Sequence, residues 1–207
     1  MHASDKMAKN LQAVLVDLID LHLQGKQAHW NILGTNFRDL HLQLDEIVDA
    51  AREFADDTAE RMRALYAVPD GRSSTVSASS HLDQFPEGEI TTHDAIDQVT
   101  LRLYQATGTM RDVHDEVDEE DPTTADLLHG FIERLEQLAR MVSAENRAPS
   151  TPLASATTPA VADASAHAQG TEWTSASRAR PRSSSVPTPA SAGTRLASSW
   201  RRVRPWS

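Results

Sequence analysis

Two helical turns' worth of histidine and aspartate, followed further along by two more acids, are the residues of this chain with the types and spacing to hold a metal ion. From Phe37 onward apolar residues fall at Leu40, Leu44, Ile47, Val48, Ala51 and Phe54, and neither Pro nor Gly interrupts before Leu65, so the stretch reads as one helix. On it His41 and Asp45 are four apart, as are Asp56 and Glu60, and each pair shares a face. Asp45 and Asp56 are separated by about three whole turns, so both pairs point nearly the same way. At ~1.5 Å per residue the pairs still lie roughly 22 Å apart, whereas metal–ligand bonds are about 2 Å. One copy of the helix cannot close one site from all four.

The spacing suggests how two copies could. His41 with Glu60, and Asp45 with Asp56, share a midpoint between Ala50 and Ala51. A second copy lying antiparallel across a two-fold axis there would bring His41 opposite Glu60 of its mate and Asp45 opposite Asp56, giving two equivalent sites. Small residues at the axis would let the backbones approach, and such isologous pairing is the commonest route to a dimer. His29, just before the turn at Gly34, can add an imidazole on the His41 side. Imidazole and carboxylate without thiolate suit iron(II) or zinc better than copper(I) or an iron–sulfur cluster. The plainer account of acids at i, i+4 is a solvated helix face. The shared midpoint, with histidines in reach, weighs against it.

The elements that must position these residues follow from periodicity. A first helix is expected from Ser4 or Asp5 to Leu33, with Leu11, Leu15, Leu18, His22, Gly25 and His29 on one stripe and Gly34 as its stop. Residues 66–90 hold Pro69, Gly71, a Ser/Thr run, Pro86 and Gly88, and read as a long connection with a short helical piece near Thr75 to His81. A third long helix starts at Thr91 or Thr92 and carries Ile96, Val99, Leu103, Ala106, Met110, Val113 and Val117. A fourth starts at Asp121–Pro122 with Leu128, Phe131, Leu135, Leu138 and Val142. Four amphipathic helices with one long crossover between the second and third describe an all-α, ferritin-like four-helix bundle. No Glu-x-x-His pair is present; the nearest is Asp126 with His129. The bundle core is therefore expected to be apolar, with the chemistry at an interface.

Composition divides the 207 residues in two. Residues 1–147 hold 13 Lys and Arg against 28 Asp and Glu, a balance of −15, while 148–207 hold seven Arg against Asp163 and Glu172, a balance of +5. The first part is expected to be the folded domain and the second a disordered tail, because Ala, Ser, Thr, Pro and Arg without periodicity bury too little apolar surface to offset ordering. There is no cysteine, so disulfides and thiolate metal sites are excluded. No apolar run approaches the ~20 residues of a membrane span, and the start lacks the apolar core of a signal peptide. A cytoplasmic, non-membrane protein is expected.

The run QAHWNILGTNFRDLHLQLDEIVDAAREFADDTAERMRAL resembles the signature of the Dps family, DNA-binding proteins from starved cells within the ferritin superfamily. The likeness extends over roughly residues 5 to 147 and includes TADLLH at 124–129. It implies a ferroxidase centre of His29, His41 and Asp45 from one subunit and Asp56 and Glu60 from its two-fold mate, with Trp30 beside it. It further implies a dodecameric shell that oxidises Fe2+ to Fe3+, with hydrogen peroxide as the usual oxidant, stores the product and protects DNA. Acids of the run 114–126 resemble those lining a pore through such a shell. Many relatives carry Trp where this chain has Arg140, which puts the local packing there in question. The rival reading is a nucleoid-compacting DNA-binding protein with minor iron chemistry. The −15 domain repels DNA, so contact would fall to Lys6, Lys9 and the C-terminal arginines, interleaved with Trp200 and Trp206. Two plainer accounts of those arginines are a tail without function and residues read out of frame at the end of a GC-rich gene, and a third reading of the chain is a plain helical oligomer with no metal.

Overall fold

The computed structural model describes residues 2–148. The expected tail from 148 onward lies, but for its first residue, outside them. The elements are α1 (Asp5–Asn31), β1 (Ile32–Leu33), α2 (Phe37–Ala64), α3 (Ser73–Ser79), β2 (Ile90–Thr91), α4 (Thr92–Glu120) and α5 (Pro122–Ser143). The four long helices are those the periodicity predicts, and the short helix α3 falls two residues earlier than its expected position.

Local chemistry sets the boundaries. Ser4 caps α1 by accepting from the Met7 amide at 3.1 Å, and Thr91 caps α4 by accepting from the Asp94 amide at 3.1 Å. Pro122 opens α5, where its missing N–H costs nothing. The expected end of α1 at Leu33 is corrected to Asn31. The Ile32 amide still closes the last helical turn on the Ala28 carbonyl, but Ile32 and Leu33 are extended and pair in parallel with Ile90 and Thr91. Gly34, at φ 121°, makes the turn that follows, a conformation costly for any side chain with a Cβ.

The core is a continuous apolar cluster built from all four long helices, including Leu11, Leu18, Leu44, Leu103, Leu128 and Leu135. Phe54 completes the α2 stripe by stacking on Phe131, ring centroids 4.3 Å apart. Helix α1 packs tightly on α2 at Gly25, where an added Cβ would lie 2.8 Å from Val48 Cγ2. Gly25→Val should therefore lower stability by about 1–3 kcal/mol, the usual cost of overpacking. Thermal unfolding of the assembled protein checks this; an unchanged midpoint would show that α1 and α2 separate freely. Arg140 is exposed, and Leu138, Ala139 and Val142 fill the core at that end of α5.

An apolar bundle core was the expectation, and two buried charges qualify it. Asp17, with no exposed surface, accepts from the His81 amide at 2.9 Å and from the Thr109 hydroxyl at 2.6 Å. Arg102, 3% exposed, donates to Gln24 Oε1, Gln98 Oε1 and the Gln84 carbonyl. Both reach into the crossover and fix its path along the bundle, since a buried charge is tolerated only where its hydrogen bonds are made. Gln12 adds a reciprocal amide pair with the backbone of Asp70, at 2.8 and 2.9 Å.

The two ends of the bundle are tied differently. At one, the Ala3 amide donates to the Leu65 carbonyl, and the Ser4 amide and hydroxyl donate to Glu120 at 2.7 and 2.6 Å. At the other, Asn146 donates to the His93 carbonyl at 2.8 Å and to Asp97 at 2.9 Å, beside the start of α4.

Candidate metal centre

Residue 29 lies in the last turn of α1 and residues 41 and 45 in the first turns of α2, so the short β1 turn folds them onto one another. His29, His41 and Asp45 each offer a ligand atom, all within 4.8 Å of one another. The two imidazoles stack, centroids 3.6 Å apart, and Phe37 stacks on His41 at 5.1 Å. His29 Nδ1 lies 3.2 Å from the His41 carbonyl. A tautomer that donates from Nδ1 to that carbonyl leaves the lone pair on Nε2 for a metal. His41 Nδ1 is buried and has no hydrogen-bond partner among the described residues.

The electrostatics favour the ligating forms of His29 and Asp45. Burial is the main influence holding the His29 pKa below that of a free imidazole; His41 and Lys26 push the same way and Asp45 opposes them. His29 is thus neutral at neutral pH. Asp45 is held below the ordinary carboxylate range, first by the hydrogen bond from Lys26, with burial acting against it and His29 adding to the lowering. Two imidazoles and one carboxylate match the two-histidine, one-carboxylate set preferred by iron(II).

Asp56 and Glu60 do not join this cluster. They stand exposed further along α2. Ala51, expected at the axis between two copies, turns into its own bundle with no exposed surface, because the helical step places it on the Leu44–Val48 side. Ala50, 8% exposed, borders an open groove along α2 that runs from Leu42 and Asp45 past Asp49 to Phe54. Trp30 is 71% exposed one residue beyond His29.

Sequence reasoning missed Lys26, whose ammonium bonds to Asp45. Its place three residues before His29, on the same helical face, was the available signal. Three of the seven acids in 114–126 turn out to be internal fasteners. Glu116 pairs with Lys6 and Asn10, Glu120 holds Ser4, and the buried Asp121 pairs with Arg61 and Thr124. Asp115, Asp118, Glu119 and Asp126 remain exposed. His129 stacks on His114 at 4.2 Å between α4 and α5, away from the three-residue cluster.

Four long helices with a long crossover between the second and third make the ferritin-like architecture, and the family model of the ferritin-like domain matches residues 8–147. The chain is 39% identical over 130 residues to DNA protection during starvation protein 2 of Deinococcus radiodurans, a match covering 59% of this chain and 51% of that relative's length. It is 35% identical over 118 residues to the DNA protection during starvation protein of Agrobacterium fabrum, covering 56% and 73%. The solved structure of Dps from Microbacterium arborescens in its high iron form superposes with a TM-score of 0.66 at 29% identity, covering 70% of this chain and 98% of that one. The chain belongs to the Dps family.

Proposed function

We propose that this protein stores iron and protects DNA by oxidising Fe(II) at sites shared between subunits, and that it is a ferroxidase. The observation that carries the reading is the cluster of His29, His41 and Asp45 within 4.8 Å, with an unpartnered buried nitrogen on His41. The names of the relatives support DNA protection, and the high iron form of the Microbacterium Dps supports iron as the cargo. Iron(II) is the substrate. It binds to His29, His41 and Asp45 of one subunit and to the partner subunit's Asp56 and Glu60, whose exposure on α2 leaves them free to be presented to another chain.

Carboxylates favour the ferric product over the ferrous reactant, which lowers the potential at which the metal gives up its electron. Two ferrous ions each pass one electron to one hydrogen peroxide, so the O–O bond is cleaved in a two-electron reduction and no hydroxyl radical leaves. Water supplies the remaining oxygen of the ferric oxyhydroxide, and its protons go to solvent. A closed shell of twelve subunits provides the cavity that keeps the mineral. DNA is a further partner, contacted through the C-terminal arginines, and the place of action is the cytoplasm. Among the described residues no helix is long and apolar enough to cross a membrane.

One experiment tests oxidation and storage together. Anaerobic Fe(II) followed by peroxide should give a ferric absorbance that co-migrates with a twelve-subunit particle in sedimentation. Ferric absorbance left in the low-molecular-weight fraction, or a monomer or dimer as the dominant species, would overturn the storage shell.

A further inference from the structure

Lys26 and His29 leave the same face of α1, one turn apart. The Lys26 ammonium donates to Asp45 Oδ1, the same oxygen that lies 3.2 Å from His29 Nδ1. Its side chain is only 30% exposed, so it is packed against the centre and is not a freely swinging surface lysine. Coulombic influence from Lys26 reaches His29 as well as Asp45. A positive group is thus built into the place where a metal cation would be held.

We infer that Lys26 is a stand-in cation that decides which metals load the centre. The inference rests on His29, His41 and Asp45 being ligands, as proposed above. Any divalent ion that takes Asp45 must first displace the ammonium, a cost common to all of them. Such a cost leaves the ratio of two metals' affinities unchanged, but it moves the weaker binder out of reach. Magnesium and calcium depend on oxygen ligands and gain little from imidazole, and of the three carboxylates in the shared site proposed above Lys26 already holds one, Asp45. Iron(II), cobalt(II) and zinc also gain two imidazole nitrogens, which offset the displacement. The lysine therefore keeps abundant hard cations off the centre while borderline metals still enter. Once displaced, the ammonium has the length to rejoin solvent, since its stem already reaches the surface.

The test uses cobalt(II), whose visible absorption reports its ligand field without redox turnover, titrated anaerobically into the assembled full-length protein. Lys26→Met should bind cobalt about two- to fivefold more tightly than the parent, the size of one partly exposed ion pair. Magnesium in fixed excess should weaken cobalt binding to Lys26→Met and leave the parent's titration in place. Lys26→Gln should follow Lys26→Met, which guards against a packing artefact, and Lys26→Arg should retain the parent's affinity. Equal cobalt affinity in the parent, Lys26→Met and Lys26→Gln would overturn the inference. His41→Ala serves as the separate control: if it binds cobalt like the parent, the metal is elsewhere, and the ligand assignment falls together with the role given to Lys26.

Discussion

Subunits carrying His41→Ala, co-assembled with subunits carrying Glu60→Ala, recover peroxide-driven iron oxidation above the level of either variant alone. The expectation follows from α2. This helix presents His41 and Asp45 near its start and Asp56 and Glu60 near its end, and the pairs lie roughly 22 Å apart along it. Coordination bonds of about 2 Å leave no way for one chain to use both. Each variant alone damages every site. In a mixed dimer both lesions fall in one site and the other is whole, so random assembly at equal ratio restores about a quarter of the sites. The measurement is the initial rate of ferric absorbance in hybrids whose composition has been verified by mass. Hybrids no more active than the better parent would sink the shared site.

The second large effect is on stability. Asp17→Ala should destabilise the protein by about 3 kcal/mol, because it removes a fully buried carboxylate and leaves the donors that face it without an acceptor. Those donors are the His81 amide and the Thr109 hydroxyl, one in the crossover and one on α4. The loss should be local before it is global. Limited proteolysis should cut first within residues 66–90, and the thermal midpoint should fall. Asp17→Asn, which keeps one acceptor oxygen, should fall less. A cleavage pattern and midpoint equal to the parent's would show that the crossover holds its path without this pin.

The architecture was legible in the sequence because helices of 22 to 29 residues repeat their apolar stripe many times over. The candidate centre was legible as pattern: His41 and Asp45 share a face at i, i+4, and the Gly34 turn is short enough to bring His29 to them. The joint of β1 and β2 was not, since two residues are too few to show a strand period and its partner lies some sixty positions away. Asp17 and Arg102 break their stripes with charge. Periodicity alone reads such residues as surface, because it cannot say that a crossover will arrive to satisfy them. Ala51 shows the opposite limit: a small apolar residue fits an interface or a core equally well, and only the packed neighbours Leu44 and Val48 decide.

The ties at the two ends of the bundle have a further consequence. Residues 3 and 4 are fastened where α2 and α4 finish, whereas residue 146 is fastened where α4 begins. The chain therefore enters at one pole of the subunit and leaves at the other, about 43 Å away along the 29 residues of α4. That distance is about five screening lengths at physiological ionic strength. A charge introduced beside residue 3 is thus electrically screened from one introduced beside residue 146.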